Sequence, residues 1–99
     1  GPGQIAISSV GGAVEAFARG VAAEIAPRRI NVLAPGSIDT PMVSMEGEAR
    51  KAFYEKATAR NVIPRAGTAD ECALGIIFLI QNDFVTGTTV DVDGGRLVA

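Results

Sequence analysis

The chain has 99 residues, of which 47% are hydrophobic and 20% are charged, and its formal net charge is −2. This length allows one domain at most, and the composition is that of a folded protein and not of a disordered one. The slightly acidic balance gives no reason to expect nucleic acid as a partner. The hydrophobic share is large for so short a chain, so we expect part of the surface to be covered by something outside this sequence.

Cys72 is the sole cysteine, which excludes an internal disulfide and is typical of a reducing compartment. Its place among apolar residues favours a buried structural thiol over a nucleophile. No stretch approaches the roughly 20 apolar residues that span a bilayer, and the start of the chain lacks the pattern of a signal peptide. We therefore expect a cytoplasmic protein with no membrane segment.

The first predicted element is a helix from about Ile5 to Ala26, where apolar residues recur at the period of one helical face. Alanines fill much of the remaining surface, so this helix is expected to be buried on two sides. The pair Gly11-Gly12 is costly inside a helix, by about 1 kcal/mol each. It indicates either a close backbone approach or a later helix start. The repeating set comprises Ile7, Val10, Val14, Phe17, Val21 and Ile25.

The middle of the chain predicts one strand and one or two helices. The short apolar run from Ile30 to Ala34, bounded by prolines, is typical of a buried strand in a parallel sheet. The more polar segment from Pro41 to Arg60 predicts amphipathic helices, the last of them from about Gly47 to Ala59. Residues 61–67 are expected to form a loop.

The last predicted helix begins with a capping box. The Thr68 hydroxyl can accept from the Glu71 N–H while the Glu71 carboxylate reaches back, and the apolar run that follows continues to about Ile80. Residues 88–92 then predict a second strand, and residues 93–95 a turn. This order of helices and strands is the rhythm of a doubly wound α/β sheet. Two strands make a poor sheet, so the architecture implied is larger than the chain.

Four segments carry a recognisable pattern in chain order: Ala13–Phe17 with Ala22–Pro27, Arg29–Pro41, Arg65–Glu71, and Phe78–Leu79 with Val85–Gly95. Together they resemble the C-terminal half of the short-chain dehydrogenase/reductase family. The resemblance implies an α/β fold, the C-terminal portion of a Rossmann-type doubly wound parallel sheet, with residues 1–99 a single, incomplete segment of an NAD(P)-binding domain. It implies an oxidoreductase that uses NAD or NADP, whose Gly-rich phosphate-binding loop, Asn and catalytic Ser would lie upstream.

The resemblance also implies one cofactor contact in this chain, made by Pro35, Gly36, Ile38 and Thr40. In the family this loop wraps the nicotinamide end, and the Ile38 backbone and Thr40 hydroxyl would meet the carboxamide, which needs both donors and acceptors. The alternative is that Pro35-Gly36 only makes a turn and that Thr40 caps a helix beginning at Pro41.

The chain departs from the family at its catalytic pair, a Tyr and a Lys four residues apart on the long helix. In the family the Tyr transfers a proton, while the Lys lowers the pKa of the Tyr and binds the ribose. Aligning Ala13–Phe17 with the family places Ile7 at the Tyr position and Gly11 at the Lys position. Shifting the alignment by one residue restores neither, so no catalytic residue is assigned.

Other polar groups do not replace that pair. Ser8 and Ser9 are expected to be helix N-caps, because a serine without a base is a poor acid. Tyr54, the sole tyrosine, falls in the segment that in the family covers the substrate, and ordinary packing is the expected role. The sequence contains no histidine, and no metal site is expected.

Three hypotheses follow. The first is an NAD(P)-dependent oxidoreductase, complete only with upstream residues and not catalytic as this chain alone. The second is a non-catalytic interaction module, a homo-oligomer through the helix of residues Ile7–Ile25, which pairs subunits in the family, or a partner of a missing N-terminal half. The third is a fragment without a function of its own. The sequence gives neither the substrate nor the choice between NAD and NADP.

Overall fold

The computed structural model describes residues 5–8 and 12–96. Their helices and strands confirm a mixed α/β class with parallel strands. In chain order the elements are β1 (Ile5–Ser8), α1 (Gly12–Ile25), β2 (Arg29–Pro35), β3 (Ile38–Asp39), α2 (Gly47–Thr58), β4 (Gly67–Thr68), α3 (Ala69–Gln81) and β5 (Thr89–Val92).

Three strands form one sheet in the order β1-β2-β5. β1 and β2 are parallel, with Ser8 opposite Val32. The Gly87 N–H donates to the Ile30 carbonyl at 2.7 Å, and the Val32 N–H donates to the Thr88 carbonyl at 2.9 Å. From Ile30 to Val32 along β2, the bonded residue also moves forward, from Gly87 to Thr88. The chain entering β5 therefore runs in the same direction as β2. Parallel neighbours need crossover connections, and α1 is the one between β1 and β2.

The first element corrects the sequence prediction. Ile5–Ser8 is a strand, and the helix begins at Gly12 instead of Ile5. A short continuous apolar run is compatible with either a buried parallel strand or a helix, and the glycine pair marks the later helix start that was the alternative. Ser8 therefore lies on a strand and is not a helix N-cap, whereas Ser9 lies outside the described residues.

The segment from Pro41 to Arg60 contains one helix. α2 spans Gly47–Thr58, close to the predicted bounds. Pro41 opens a turn, in which the Val43 N–H donates to the Thr40 carbonyl at 3.2 Å. The alternative role of Thr40, the cap of a helix beginning at Pro41, is therefore wrong.

The capping box at the start of α3 is confirmed. The Glu71 N–H donates to the Thr68 hydroxyl at 3.1 Å, and the Thr68 N–H donates to the Glu71 carboxylate at 2.9 Å. Arg65 adds two bonds to the same carboxylate, both at 2.9 Å. These bonds, first from Arg65 and then from the Thr68 backbone, lower the pKa of Glu71 to about 2.

Cys72 lies in the first turn of α3 and is half-buried. Burial raises the pKa of its thiol, with a smaller contribution from Glu71. A raised pKa keeps the thiol protonated, and a protonated thiol is a poor nucleophile. Cys72 is thus less buried than expected, and the raised pKa of its thiol does not favour a nucleophile.

The chain forms two compact units. The first comprises Gly1–Ala34 with Ala73–Asp91, and the second comprises Pro35–Cys72 with Val92–Ala99. Among the described side chains, the first unit buries Ala18, Val32, Leu33 and Leu79, each at most 4% exposed. In the second unit the buried side chains are those of Tyr54 and Thr58.

Two polar side chains of β2 are buried in the first unit. The Arg29 guanidinium donates to the Leu79 carbonyl at 2.8 Å and to the Ile80 carbonyl at 3.0 Å, at the end of α3. Carbonyls in the last turn of a helix have no partner within it, so Arg29 caps α3. The Asn31 side-chain amide donates to the Val85 carbonyl at 3.1 Å and accepts from the Thr88 N–H at 3.0 Å. Together they attach the 85–88 loop to the strand.

Several large apolar side chains of the first unit are exposed. Phe17 on α1 is 64% exposed, Leu74 on α3 is 66% exposed and Phe84 is fully exposed. The predicted burial of α1 on two sides is thus not reached by the described residues alone. None of the helices in residues 12–96 is long and apolar enough to cross a membrane.

Candidate functional site

The candidate site is the loop that leaves the carboxyl end of β2. The strand ends at Pro35, and the Gly36 N–H donates to the Val92 carbonyl at 2.9 Å. A Cβ added to Gly36 would lie 2.8 Å from the Asp93 Cα, closer than real Cβ contacts. Glycine is therefore required here because the loop passes directly against the backbone of residue 93.

The loop continues into the short strand β3, which pairs in parallel with β4. Ile38 lies opposite Gly67 and Asp39 lies opposite Thr68. The Gly67 N–H donates to the Ser37 carbonyl at 2.9 Å. This pairing fixes the backbone conformation of residues 37–39, although these residues lie in the loop that follows β2.

Arg50 of α2 binds the rest of the loop through its guanidinium. Its Nε donates to the Asp39 carboxylate at 3.0 Å, and its Nη2 donates to the same oxygen. The remaining donors reach three backbone carbonyls, of Thr40 at 2.7 Å, of Val43 at 2.8 Å and of Met45 at 3.0 Å. An arginine has five N–H groups, so all are used. The bond to Asp39 is the main cause of a raised Arg50 pKa.

Tyr54 lies one helical turn after Arg50 and supports the same loop. Its ring is buried, and its hydroxyl donates to the Ile38 carbonyl at 2.8 Å. The Arg50 guanidinium lies 5.5 Å from the centroid of this ring, within the range of a cation–π contact. One turn further, the Thr58 hydroxyl donates to the Tyr54 carbonyl at 2.8 Å. The packing role expected for Tyr54 therefore agrees with the structure.

Two cavities open beside Asp39 and Arg50. The first has a volume of about 420 Å³ and is lined by Thr40, Ser44 and Met45 among others. The second has a volume of about 460 Å³ and extends along α2 past Tyr54 to Arg65. Both lie within the second unit.

The structure gives the predicted cofactor residues different positions. Pro35 is the last residue of β2, and Gly36 makes the close approach to residue 93. Ile38 lies on β3, and its carbonyl already accepts one hydrogen bond. Thr40 is half-buried at the edge of the first cavity, so Ile38 and Thr40 lie on one short stretch of ordered backbone.

The sequence reasoning missed Arg50. The signal available was its spacing of four residues from Tyr54 on an amphipathic helix, which places both side chains on one face. The backbone carbonyls that it binds cannot be recognised from the sequence, because every residue has one.

The two catalytic positions give no acid–base pair. Ile7 lies on β1, so it does not share a helical turn with residue 11, as the Tyr and Lys of the family do. Gly11 itself lies outside the described residues. The residues that the structure describes also contain no cluster of three or more His, Cys, Asp or Glu placed to hold a metal ion.

The donor set of the loop fits a neutral amide. A carbonyl oxygen has two lone pairs, so Ile38 keeps one acceptor site beside its bond to Tyr54. Among the described residues, the Thr40 hydroxyl has no hydrogen-bond partner, and it can donate as well as accept. A primary carboxamide, with one acceptor and two donors, matches these groups.

A parallel α/β sheet with a ligand-binding loop at the carboxyl end of a strand is the arrangement of Rossmann-type domains. Comparison with known proteins agrees: the family model described as enoyl-(acyl carrier protein) reductase matches residues 1–96. The chain belongs to the short-chain dehydrogenase/reductase family.

Individual relatives give the same assignment. The short-chain reductase protein NovJ of Streptomyces niveus is 35% identical over 102 residues, covering 95% of this chain and 39% of the relative. The 3-oxoacyl-(acyl-carrier-protein) reductase of Rattus norvegicus is 36% identical over 96 residues, covering 94% of this chain and 38% of the relative. The chain thus spans about two fifths of the length of these relatives.

Solved structures show the same fold. A small-chain dehydrogenase crystallised in complex with NADPH superposes with a TM-score of 0.76 at 36% identity. The superposition covers 88% of this chain and 40% of that chain. The fold is therefore that of a partial Rossmann-type domain.

Proposed function

We propose that the full-length protein is an NAD(P)-dependent oxidoreductase and that residues 1–99 form an incomplete C-terminal part of its cofactor-binding domain. The observation that carries the proposal is the ordered loop from Ile38 to Thr40, fixed by Arg50 and Tyr54 at the carboxyl end of β2. The NADPH held by the related dehydrogenase supports this class of cofactor. A single cysteine is typical of a protein in a reducing compartment, so this family member would work in the cytoplasm.

The residues of the loop have separate proposed tasks. The Ile38 backbone and the Thr40 hydroxyl would bind the carboxamide of the nicotinamide, whose ring accepts or donates the hydride when bound. Pro35 and Gly36 would end the strand and turn the backbone so that both groups face the same ligand. Each of these residues binds or orients the cofactor, and none transfers a proton.

We further propose that this chain alone does not catalyse the reaction. Proton transfer needs an acid poised near the working pH, and Ile7 and Gly11 have no titratable group. A complete protein would need such a group from residues outside this chain.

The test is a fluorescence titration of the full-length protein with NADH and with NADPH. We expect binding of at least one cofactor and weaker binding by Thr40→Val, which removes the hydroxyl and keeps the shape. Ser44→Ala is the matched control, because it removes a hydroxyl from the same cavity. A full-length protein that binds neither cofactor would rule out the proposed function.

A second candidate function is a non-catalytic interaction module, and the exposure of Phe17 and Leu74 favours it. Large exposed apolar side chains mark association surfaces where they form a patch. The helix available for pairing is Gly12–Ile25, shorter than the predicted Ile7–Ile25. We propose a homo-oligomer through this helix, or association with a missing N-terminal half. Sedimentation at micromolar concentration tests it: a monomer that Phe17→Glu leaves unchanged would exclude self-association.

A further inference from the structure

We infer that Arg50 is the positioning residue that sets the backbone of residues 39–45 for the nicotinamide end of the cofactor. This inference rests on the proposed function, since it assigns Arg50 to the loop that would bind the carboxamide. It goes further because Arg50 lies outside that loop, on α2, and because it would act through the backbone without touching the ligand.

The first argument is the number and spread of the bonds. The guanidinium binds the Asp39 side chain and the carbonyls of Thr40, Val43 and Met45, which span seven consecutive residues. Residues 40–46 form neither helix nor strand, and fixing the backbone of each such residue costs conformational entropy. Hydrogen bonds from a charged donor are the strong kind that can offset such a cost.

The second argument is that the cation itself is held in place. The Tyr54 ring lies under the guanidinium, and the Tyr54 hydroxyl is bonded to Ile38, the residue before Asp39. Arg50 and Tyr54 are one turn apart on α2, so the helix contacts the loop at both Ile38 and Thr40. A shift of α2 would therefore shift the two groups proposed to bind the carboxamide.

The third argument is geometric and separates Arg50 from an ordinary surface cation. Its planar fork directs donors to four acceptors at fixed angles, whereas a lysine ammonium has three donors on a flexible stem. Lys51, the next residue, is exposed and bonds to none of the described side chains. Lys51 therefore provides a matched control of equal charge on the same helix.

The experiment compares two ligands in the full-length protein. One is whichever of NADH and NADPH the wild type binds more tightly, and the other is the corresponding ADP-ribose, which lacks the nicotinamide. We expect Arg50→Lys and Arg50→Gln to weaken binding of the whole dinucleotide by about tenfold, the effect of roughly 1.4 kcal/mol. Binding of the ADP-ribose should be unchanged, because the phosphate-binding loop of such a domain lies outside this chain.

Hydrogen exchange provides a readout that does not depend on the ligand. In the unliganded Arg50→Gln protein, the amides of Thr40 and of residues 42–45 should exchange faster than in the wild type, while those of β2 keep their rates. Lys51→Gln should change neither the affinity for the dinucleotide relative to that for the ADP-ribose nor the exchange rates of these amides. Arg50→Lys keeps the charge and most of the volume, so it is the variant to use if Arg50→Gln does not fold.

The outcomes separate the two proposals. Equal losses for the dinucleotide and the ADP-ribose would mean that Arg50 only stabilises the fold and would overturn the inference, as would unchanged affinity for both. A wild-type protein that binds neither nicotinamide cofactor would overturn the proposed function together with this inference. Unchanged binding by Arg50→Lys in a protein that does bind the cofactor would overturn this inference alone.

Discussion

The Tyr54 hydroxyl donates to the Ile38 carbonyl at 2.8 Å and so joins the middle of α2 to the strand β3. The bond connects two separate elements, because the two residues are far apart in sequence and one lies on a helix and the other on a strand. It helps to fix the position of α2 against the loop that follows β2. The ring of Tyr54 also lies beneath Arg50, so a single side chain supports both connections between helix and loop.

Removal of this hydroxyl is the first prediction. Tyr54→Phe leaves the Ile38 carbonyl without its partner and keeps the ring, so we expect a loss of about 1 kcal/mol in the free energy of unfolding. Urea denaturation of the full-length protein measures it. Tyr54→Leu, which also removes the ring beneath Arg50, should cost more. Equal stability of Tyr54→Phe and wild type would show that the bond contributes nothing.

The second prediction concerns pH and Glu71. Its pKa is about 2 in the folded protein and near 4.5 when unperturbed, mainly because of Arg65. A lowered folded-state pKa gives stability that is fully present above about pH 4.5 and is lost as the pH falls towards about 2. Glu71→Gln can still cap the helix but cannot titrate, so its stability should fall less steeply in this window.

Urea denaturation at a series of pH values checks this expectation. Asp70→Asn is the control, because it removes a carboxylate from the same helical turn that has no described ion pair. The interpretation of Glu71 is refuted if Glu71→Gln and the wild type lose stability in parallel between pH 4.5 and pH 2.

The third prediction distinguishes two glycines. A methyl group on Gly36 would meet the Asp93 Cα at 2.8 Å, so Gly36→Ala should destabilise the protein by about 1–3 kcal/mol. Gly20 lies inside α1 with nothing within 4 Å of an added Cβ, so Gly20→Ala should stabilise it by about 1 kcal/mol. Thermal denaturation of both variants gives the signs. The same sign for both would contradict the structural account of Gly36.

The fourth prediction concerns the arginine that caps α3. Arg29→Met leaves the carbonyls of Leu79, Ile80 and Val85 without their charged donor, and we expect a loss of about 3 kcal/mol. Arg28→Met changes an exposed neighbour and should stay within about 0.5 kcal/mol of the wild type. Chemical denaturation of both variants compares them, and a similar effect of the two substitutions would argue against the cap.

Local patterns were the part of this structure that the sequence predicted well. The capping box of Thr68 and Glu71 was predicted because both partners lie within one turn, and its bonds are confirmed. The parallel strand of residues 30–34 was predicted from a short apolar run between prolines. The family could be recognised because four such segments occur in the right order.

Contacts between distant segments were not predictable in this way. Ile5–Ser8 has the apolar character of either a strand or a buried helix, and its pairing with Arg29–Val32 is what makes it a strand. Gly36 was assigned to the cofactor, yet its lack of a side chain is explained by Asp93, far along the chain. Arg50 binds backbone carbonyls, which every residue has, so no residue type marked its partners.

The full use of the Arg50 donors has a consequence for the response to salt. An anion beside Arg50 finds no unoccupied N–H group on that guanidinium, and the adjacent Asp39 carboxylate offsets its charge. Ionic strength screens attraction between net charges and has little effect on a neutralised pair. Any contribution of Arg50 to the attraction of an anionic ligand should therefore be small in dilute buffer and in concentrated salt alike.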